Sequence, residues 1–269
     1  MAHWRIVASL LASGVLACGR VGFAPTSAND DANDNGSGDG DASGTNDDAN
    51  PDAVLDARNF GVMPSNGLVG YWPLDEGTGS VSADLSGFNR HGVLLNMAPE
   101  DWVTGVSGTA VHFSQNNAFR FGCAGTNCPA STYAVSLWFN ADVLSGTLFS
   151  YYAGEAFSNP SQKTIAFSST FLHCGPSTLR KGAAQSIFVT NRWYHLVVNY
   201  QDTTSITVFV DGIDVSVDTD DYWNSGAFSL GRRLDGSSPL QFSGSIDEVA
   251  LYDHVLSASE IAALGSARQ

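Results

Sequence analysis

Basic residues are scarce in this chain of 269 residues: 12 Lys and Arg stand against 27 Asp and Glu, which gives a formal net charge of −15. Nucleic-acid binding depends on clustered Lys and Arg that neutralise phosphates, so this composition excludes a nucleic-acid partner. No apolar run approaches the roughly 20 residues that a membrane-spanning helix needs. Methionine is also rare, with 3 residues, whereas 28 Gly and 15 Phe favour β structure with many turns.

Motifs of the common enzyme chemistries are missing as well. The sequence contains no nucleophile elbow, no phosphate-binding glycine loop and no HExxH zinc motif. The histidines beyond the leader show no His-x-x-x-His spacing; they are His91, His112, His173, His195 and His254. Folding can still bring distant carboxylates together, but the sequence favours a protein that is not an enzyme.

The first 17 residues have the pattern of a secretory signal peptide, with Arg5 ahead of the uncharged, mostly apolar stretch 6–16. This stretch ends in Val-Leu-Ala and Cys18, which resembles the lipobox of bacterial lipoproteins, where the Cys becomes the acylated N-terminus. In well-studied bacteria, an Asp after that Cys retains the lipoprotein at the inner membrane. Gly19 follows here instead, so we expect an exported outer-membrane lipoprotein that faces the periplasm or the cell surface. The alternative is an ordinary signal peptide with a coincidental cysteine.

Residues 18–65 are rich in Asp, Asn, Gly, Ser and Ala. Such a segment buries too little apolar surface to offset the entropy of ordering, so we predict a disordered acidic tether behind the acylated Cys18. A flexible coil of this length spans roughly 40 Å. The segment 31–36 matches half of an EF-hand loop, but Ala42 stands where that loop needs Glu, and we interpret it as tether.

Residues 66–269 carry short alternating segments separated by turn signals. Ser205 to Val210 and Ile213 to Val217 alternate, and Asp211-Gly212 between them is a strong two-residue hairpin signal. About ten to fourteen short strands predict an all-β fold, a two-sheet antiparallel jelly-roll sandwich. One short C-terminal helix is expected, because Ser257 to Glu260 forms a capping box and Gly265 can close the helix.

The strand near residue 247 changes its phase. The apolar residues of 242–246 are even-numbered, whereas Val249 and Leu251 are odd-numbered, which predicts a bulge or twist at Asp247-Glu248. Asp247 shares the phase of Val249 and Leu251. We therefore expect an inward-pointing carboxylate that needs a cation or several N–H donors.

Several motifs resemble a laminin-G-like domain of the concanavalin A-like lectin and glucanase superfamily, over about residues 66–265. They occur in the family's order: Gly67-Leu68-Val69-Gly70-Tyr71-Trp72-Pro73-Leu74-Asp75-Glu76-Gly77, Asp84 to Asn89, Gly105 to Phe113, Val135 to Phe139, Arg192 to Leu196, Phe209 to Gly212, Ser243 to Val249 and Leu256 to Ile261. The resemblance implies a jelly roll of two antiparallel sheets, in agreement with the strand pattern. It also implies a recognition domain that binds glycan or a surface protein, and we expect a monomer.

The resemblance also allows a test for catalysis. Retaining glycosidases need two carboxylates about 5 Å apart, which related β-glucanases place on one strand as Glu-x-Asp-x-Glu. This motif is absent, and the adjacent Asp247 and Glu248 would face opposite ways in an extended strand. We therefore expect a non-catalytic module. The alternatives are a divergent glycoside-processing enzyme and a structural or adhesive surface protein without a small ligand.

Calcium is the cofactor that the resemblance implies, since related domains hold one structural calcium between the N-terminal loop and the strand of Asp247. By motif position, the side-chain ligands are Asp75, Asn89 and Asp247, with Asp84 as a further candidate. Two alternatives stay open: Asp84 caps the turn at Ser86, and Asp247 is held by loop amides.

Aromatic residues in predicted loops are the candidates for ligand binding, because sugar sites combine exposed aromatic faces with polar groups. These candidates are Tyr222, Trp223 and Asn224 together with Tyr151 and Tyr152.

The cysteines of the exported domain allow two pairings. A disulfide between Cys123 and Cys128 would leave Cys174 free and buried; the alternative joins Cys174 to one of the other two.

Overall fold

The computed structural model describes residues 63–114, 116–121, 132–151, 163–175, 180–202, 205–220, 229–232 and 241–266. The chain divides into two units, Met1–Asp48 and Ala49–Gln269, and every described residue lies in the second. The signal peptide 1–17, Cys18 and nearly all of the tether 18–65 lie outside the described residues. The proposed domain boundaries therefore stay predictions.

The described chain forms seventeen strands and one α-helix. In chain order they are β1 (Leu68–Trp72), β2 (Val81–Ser82), β3 (Gly92–Leu95), β4 (Trp102–Thr104), β5 (Thr109–Phe113), β6 (Ala118–Phe121), β7 (Tyr133–Ala141), β8 (Gly146–Tyr151), β9 (Lys163–Phe167), β10 (Phe171–Cys174), β11 (Lys181–Ala184), β12 (Trp193–Gln201), β13 (Ser205–Val210), β14 (Ile213–Asp214), β15 (Val217–Asp218), β16 (Ser229–Leu230), β17 (Gly244–Tyr252) and α1 (Ala258–Ser266). Short 3₁₀ turns lie at Pro99–Asp101 and Gln185–Ile187.

The strands form two antiparallel sheets, as the sequence predicts. In the described residues, an eight-stranded sheet runs β14-β13-β12-β7-β17-β5-β4, and β1 also pairs with β17. A nine-stranded sheet runs β15-β11-β10-β9-β8-β16-β6-β3-β2. The first and last strands of the domain are thus neighbours, and both lie in the eight-stranded sheet.

The main core is formed by apolar side chains of both sheets. Phe139 of β7 contacts Phe167 of β9 and Tyr194 of β12, with ring centroids 5.8 and 5.5 Å apart. Phe188 completes this aromatic group. Fully burying one such side chain stabilises the fold by about 1.5–3 kcal/mol.

A second cluster lies on the opposite face of the eight-stranded sheet. There, Ile261 and Leu264 of α1 pack with Val197, Ala250 and Tyr252. The helix covers this face, so the central strands are buried on both sides. This explains why β7, β12 and β17 are nearly continuous buried runs rather than alternating ones. In the described part of the chain, no helix is long and apolar enough to cross a membrane.

The predicted hairpin is present. Asp211 and Gly212 have φ of 51° and 78°, as a two-residue type I′ turn requires, and β13 pairs with β14. The predicted strand 213–217, however, is divided between the sheets. Its first residues extend the hairpin, whereas Val217 pairs with Gly182 of β11 in the nine-stranded sheet.

The capping box at the start of α1 is also present. The Ser257 amide donates to Glu260 Oε2 over 2.8 Å, and the Glu260 amide donates to Ser257 Oγ over 3.4 Å. These hydrogen bonds to Ser257 lower the pKa of Glu260, and His254 adds to the effect. The helix extends one residue beyond Gly265, where closure was expected.

We predict that Glu260→Gln destabilises the domain in a pH-dependent way. The folded-state pKa is depressed, so the carboxylate's contribution is present above the unfolded pKa of about 4.3. It is lost as the pH falls through the lower, folded pKa. Urea unfolding should therefore show a gap of about 1 kcal/mol or less between wild type and variant at neutral pH. The gap should close in strong acid.

The control is the same substitution in a Ser257→Ala background, which removes the Ser257 hydroxyl and keeps its backbone amide. There we expect a gap that depends less on pH than in the wild-type background. An equal gap in both backgrounds would contradict the assignment to the capping box.

Candidate functional site

A β-bulge interrupts β17 at the predicted position. Asp247 lies opposite Trp138 of β7 and Ala250 lies opposite Ser136, so two residues of β17 face Leu137 alone. Glu248 has a φ of 55°, in the left-handed region. The extra residue lets Ile246 and Val249 both face the main core. The predicted change of phase is thereby confirmed.

Asp247 is completely buried, and its Oδ2 accepts the amides of Val106 and Ser107 over 2.8 and 3.3 Å. Its direction differs from the prediction. Because the bulge begins after it, Asp247 pairs with Trp138 and lies on the sheet face opposite the main core. The carboxylate is buried by the turn between β4 and β5, not between the sheets.

Asp75 holds the other side of the same turn. Its Oδ1 accepts the Thr109 amide over 2.7 Å. The turn needs glycine at both ends: a Cβ on Gly105 would lie 2.4 Å from Asp247 Oδ2, and one on Gly108 would lie 2.1 Å from Asp75 Oδ1. The structure thus brings two of the predicted metal ligands to one turn.

Asp84 organises a different loop. Its Oδ1 accepts the amides of Tyr71 and Ser86, both over 2.9 Å, and its Oδ2 accepts the Arg90 amide over 2.8 Å. These contacts match the turn-capping alternative and fasten the loop to β1. Asn89 lies in the same loop with a φ of 55°, and it is exposed.

The four predicted calcium ligands do not form one set. Among the described residues, no group of three or more His, Cys, Asp or Glu side chains is placed to hold a metal ion. Calcium requires six to eight oxygen ligands, whereas the recorded contacts of Asp84 and Asp247 are with backbone N–H groups. Side chains alone therefore do not supply a calcium shell among the described residues, and calcium binding stays a prediction.

Glu248 and His195 are buried polar groups near the bulge. The Tyr71 hydroxyl donates to Glu248 Oε2 over 2.5 Å, which ties the bulge to β1. His195 Nε2 lies 2.9 Å from Ser136 Oγ, and its ring stacks on Trp138 with centroids 5.1 Å apart. Only 1% of His195 and 4% of Glu248 is exposed, so both are packed residues with no access to a substrate.

The predicted ligand-binding aromatics and the predicted disulfide fall almost wholly outside the described residues. Tyr152, Tyr222, Trp223 and Asn224 lie outside the described residues, as do Cys123 and Cys128, and of Tyr151 only the backbone in β8 is described. Cys174 is a free and completely buried thiol, and burial raises its pKa.

The outer face of the nine-stranded sheet carries polar residues that the sequence did not single out. Phe149 and Ile165 point into the main core, so their neighbours Ser150 and Thr164 point the opposite way. Ser150 lies between Thr164 of β9 and Ser229 of β16 in register, and Thr147 lies on the same face. We call these four residues the hydroxyl face.

The hydroxyl face is buried but incompletely hydrogen-bonded. Ser150, Thr164, Thr147 and Ser229 are each at most 1% exposed. Ser229 Oγ donates to the Arg232 carbonyl. Within the part of the chain that the structure describes, the hydroxyls of Ser150, Thr164 and Thr147 have no hydrogen-bond partner. Such hydroxyls are uncommon in folded proteins and call for an explanation.

His173 borders the hydroxyl face, since it pairs in register with Ala166, which pairs with Thr147. Its Nε2 lies 2.9 Å from Ser168 Oγ and 3.5 Å from Asp220 Oδ1. Burial lowers its pKa, and Asp220 partly opposes this shift. The sequence signal was weak, because hydroxyl residues in short strands resemble loop residues unless the pairing of the strands is known.

Comparison with known proteins gives a family and a fold. A laminin-G family model, that of the concanavalin A-like lectin/glucanases superfamily, matches residues 110–262, more than half of the chain. A comparison with curated proteins gives no match.

Three solved structures are similar to this chain. Domain 4 of AbnA, an extracellular GH43 arabinanase from Geobacillus stearothermophilus, in complex with arabinotriose, is 20% identical with a TM-score of 0.48, and the match covers 75% of this chain and 98% of that one. The binding domain of Paraclostridial Mosquitocidal Protein 1 is 14% identical with a TM-score of 0.52, with coverages of 75% and 52%.

The third is Trypanosoma rangeli sialidase in complex with 2,3-difluoro-KDN, which is 17% identical with a TM-score of 0.50. The match covers 76% of this chain and 33% of the sialidase. The chain therefore spans about a third of the sialidase and about half of the mosquitocidal domain.

We predict that Asp247→Asn lowers stability by about 1–3 kcal/mol, because it weakens a buried acceptor of two loop amides. Thermal unfolding of wild type and variant should be compared in CaCl₂ and in EGTA. The loop-amide role predicts the same loss in both buffers. The calcium hypothesis predicts that CaCl₂ raises the Tm of wild type and that the variant loses this increase.

A matched control is Asp253→Asn, since 56% of the Asp253 side chain is exposed. We expect its Tm to stay close to that of wild type. A variant of Asp247 as stable as this control would rule out both roles.

Proposed function

Because the chain belongs to the concanavalin A-like lectin/glucanases superfamily, we propose that residues 66–269 are a non-catalytic domain that binds carbohydrate. The observation that carries this proposal is the family match together with the two-sheet sandwich. Fold alone does not fix function, so the ligand class rests on further features of the domain.

The positions of the carboxylates support a non-catalytic role. A glycosidase needs two carboxyl groups that flank a bond of the bound sugar. Asp247 and Glu248 are 0% and 4% exposed. Asp84 is 5% exposed, and both of its oxygens accept backbone amides. These side chains hold the fold and are not placed to reach a substrate.

Carbohydrate is favoured over a protein partner by the aromatic candidates. Tyr151, Tyr152, Tyr222, Trp223 and Asn224 supply rings and polar groups of the kind that sugar sites use. Among proteins of similar fold, one is the binding domain of a mosquitocidal protein and another is a sialidase in complex with a sugar derivative. The names of these two proteins agree with the proposal, but the binding that they describe belongs to those proteins.

The proposal includes attachment to the outer membrane. Acyl chains on Cys18 would anchor the chain, since each buried methylene adds about 0.8 kcal/mol. The acidic segment 19–65 would then hold the domain away from the membrane. The domain would act as a monomeric, tethered receptor for glycan.

Glycan binding is tested on an array of defined plant, bacterial and animal oligosaccharides, followed by calorimetry with the oligosaccharides that bind. We expect saturable binding without release of products. Trp223→Ala should weaken binding at least about tenfold, which corresponds to about 1.4 kcal/mol. Phe88→Ala is the control, because Phe88 is an exposed aromatic, 48% accessible, in the Asp84 loop.

Two results would argue against this function. Binding to no glycan on the array would remove the carbohydrate assignment. Release of products from an oligosaccharide would remove the non-catalytic role.

Lipid attachment is tested with Cys18→Ser expressed in a Gram-negative host. We expect wild type in the outer-membrane fraction with a mass increase at the N-terminal Cys, and the variant without this modification. An unmodified wild-type N-terminus, or cleavage at another position, would contradict the lipoprotein proposal.

A further inference from the structure

The outer edge of β1 is covered by the loop between β2 and β3, which we call the Asp84 loop (residues 83–91). Among the described strands, β1 pairs with β17 alone. Backbone groups alternate in direction along an antiparallel strand, so one set of them, which includes those of Tyr71, points away from β17. Such an edge binds other strands unless the protein covers it.

The Asp84 loop occupies three of these outward backbone groups. Asp84 Oδ1 accepts the Tyr71 amide over 2.9 Å, and the Leu85 amide donates to the Tyr71 carbonyl over 2.8 Å. The Arg90 guanidinium donates to the Val69 carbonyl. The groups with which another strand would pair are therefore already hydrogen-bonded within the domain.

Further contacts hold Arg90 against β1. Asp84 Oδ2 accepts the Arg90 amide over 2.8 Å, and the Trp72 indole N–H donates to the Arg90 carbonyl over 2.9 Å. The Arg90 guanidinium also lies over the ring of Phe88, 4.6 Å from its centroid. Pro73 follows the strand, and a proline at a strand edge has no amide to offer a new strand.

A second copy of β1 is the strand that fits this edge. In an antiparallel pair centred on Gly70, Val69 of one copy would lie opposite Tyr71 of the other, and the two-fold axis would repeat this pair. The two pairs would use the Val69 carbonyl and both backbone groups of Tyr71. These are the groups that the Asp84 loop occupies.

We propose that the Asp84 loop guards the edge of β1 and keeps the protein monomeric by occupying the groups through which two copies would pair. Release of the loop would let two eight-stranded sheets join edge to edge through their β1 strands. The inference rests on the monomeric state in the proposed function, and it does not depend on the identity of the ligand.

Two variants open the loop in different ways. Arg90→Ala removes the donor to the Val69 carbonyl, and Asp84→Asn weakens the acceptor of the Tyr71 amide. Arg120→Ala is the matched control, because Arg120 is an exposed arginine on β6 of the other sheet and its loss changes the charge equally. Sedimentation over a concentration series gives the mass of each protein. Thermal unfolding and amide hydrogen exchange are measured alongside.

We expect wild type and Arg120→Ala to stay monomeric across the series. Arg90→Ala and Asp84→Asn should approach the mass of a dimer as the concentration rises, while each keeps a cooperative thermal transition. In dilute Arg90→Ala, the Tyr71 amide should exchange at least about tenfold faster than in wild type, because the loop that covers it opens more often. This exchange should slow again as the dimer forms.

Three results would overturn the proposal. If both variants are folded and stay monomeric at every concentration, the edge of β1 does not bind a second copy. If wild type or Arg120→Ala associates as strongly as the variants, the loop is no guard; association of wild type would also remove the proposed monomer, while the glycan array decides the ligand class separately. If both variants unfold, the loop serves folding alone.

Discussion

The bulge in β17 is the constraint on which the rest of the domain depends. This strand pairs with β1, β5 and β7, so its phase decides which residues of the eight-stranded sheet face the core. Without the extra residue, either Ile246 or Val249 would leave the core. The left-handed Glu248 is costly for a residue with a side chain, and its hydrogen bond from Tyr71 stabilises the conformation. The hydrogen bond between Tyr71 and Glu248 therefore helps to maintain the phase of the central strand.

The two sheets share one core. The eight-stranded sheet is covered by the main core on one face and by α1 on the other. The nine-stranded sheet packs on the same core, and the hydroxyls of Ser150, Thr164 and Thr147 on its other side are buried as well. Among the described strands, the long central ones of both sheets are thus shielded from solvent.

Local features were predictable from the sequence, and features that depend on pairing were not. The Asp211-Gly212 turn and the capping box at Ser257 are set by residues close in sequence, so their patterns are sufficient. The bulge was predictable because apolar residues change phase within one strand. The direction of Asp247 was not, since it depends on which side of it the extra residue lies. The pairing of Ser150 with Thr164 depends on a register that no local pattern reveals.

The buried thiol of Cys174 has a consequence for the proposed export of the protein to an oxidising compartment. Only the thiolate attacks disulfides or oxidants, and burial disfavours that form. In the native state, Cys174 is thereby protected from thiol–disulfide exchange and from forming an intermolecular disulfide. Exposure of the thiol requires the main core to open. The rate at which an alkylating reagent labels Cys174 would therefore report the rate or the extent of opening of the sandwich.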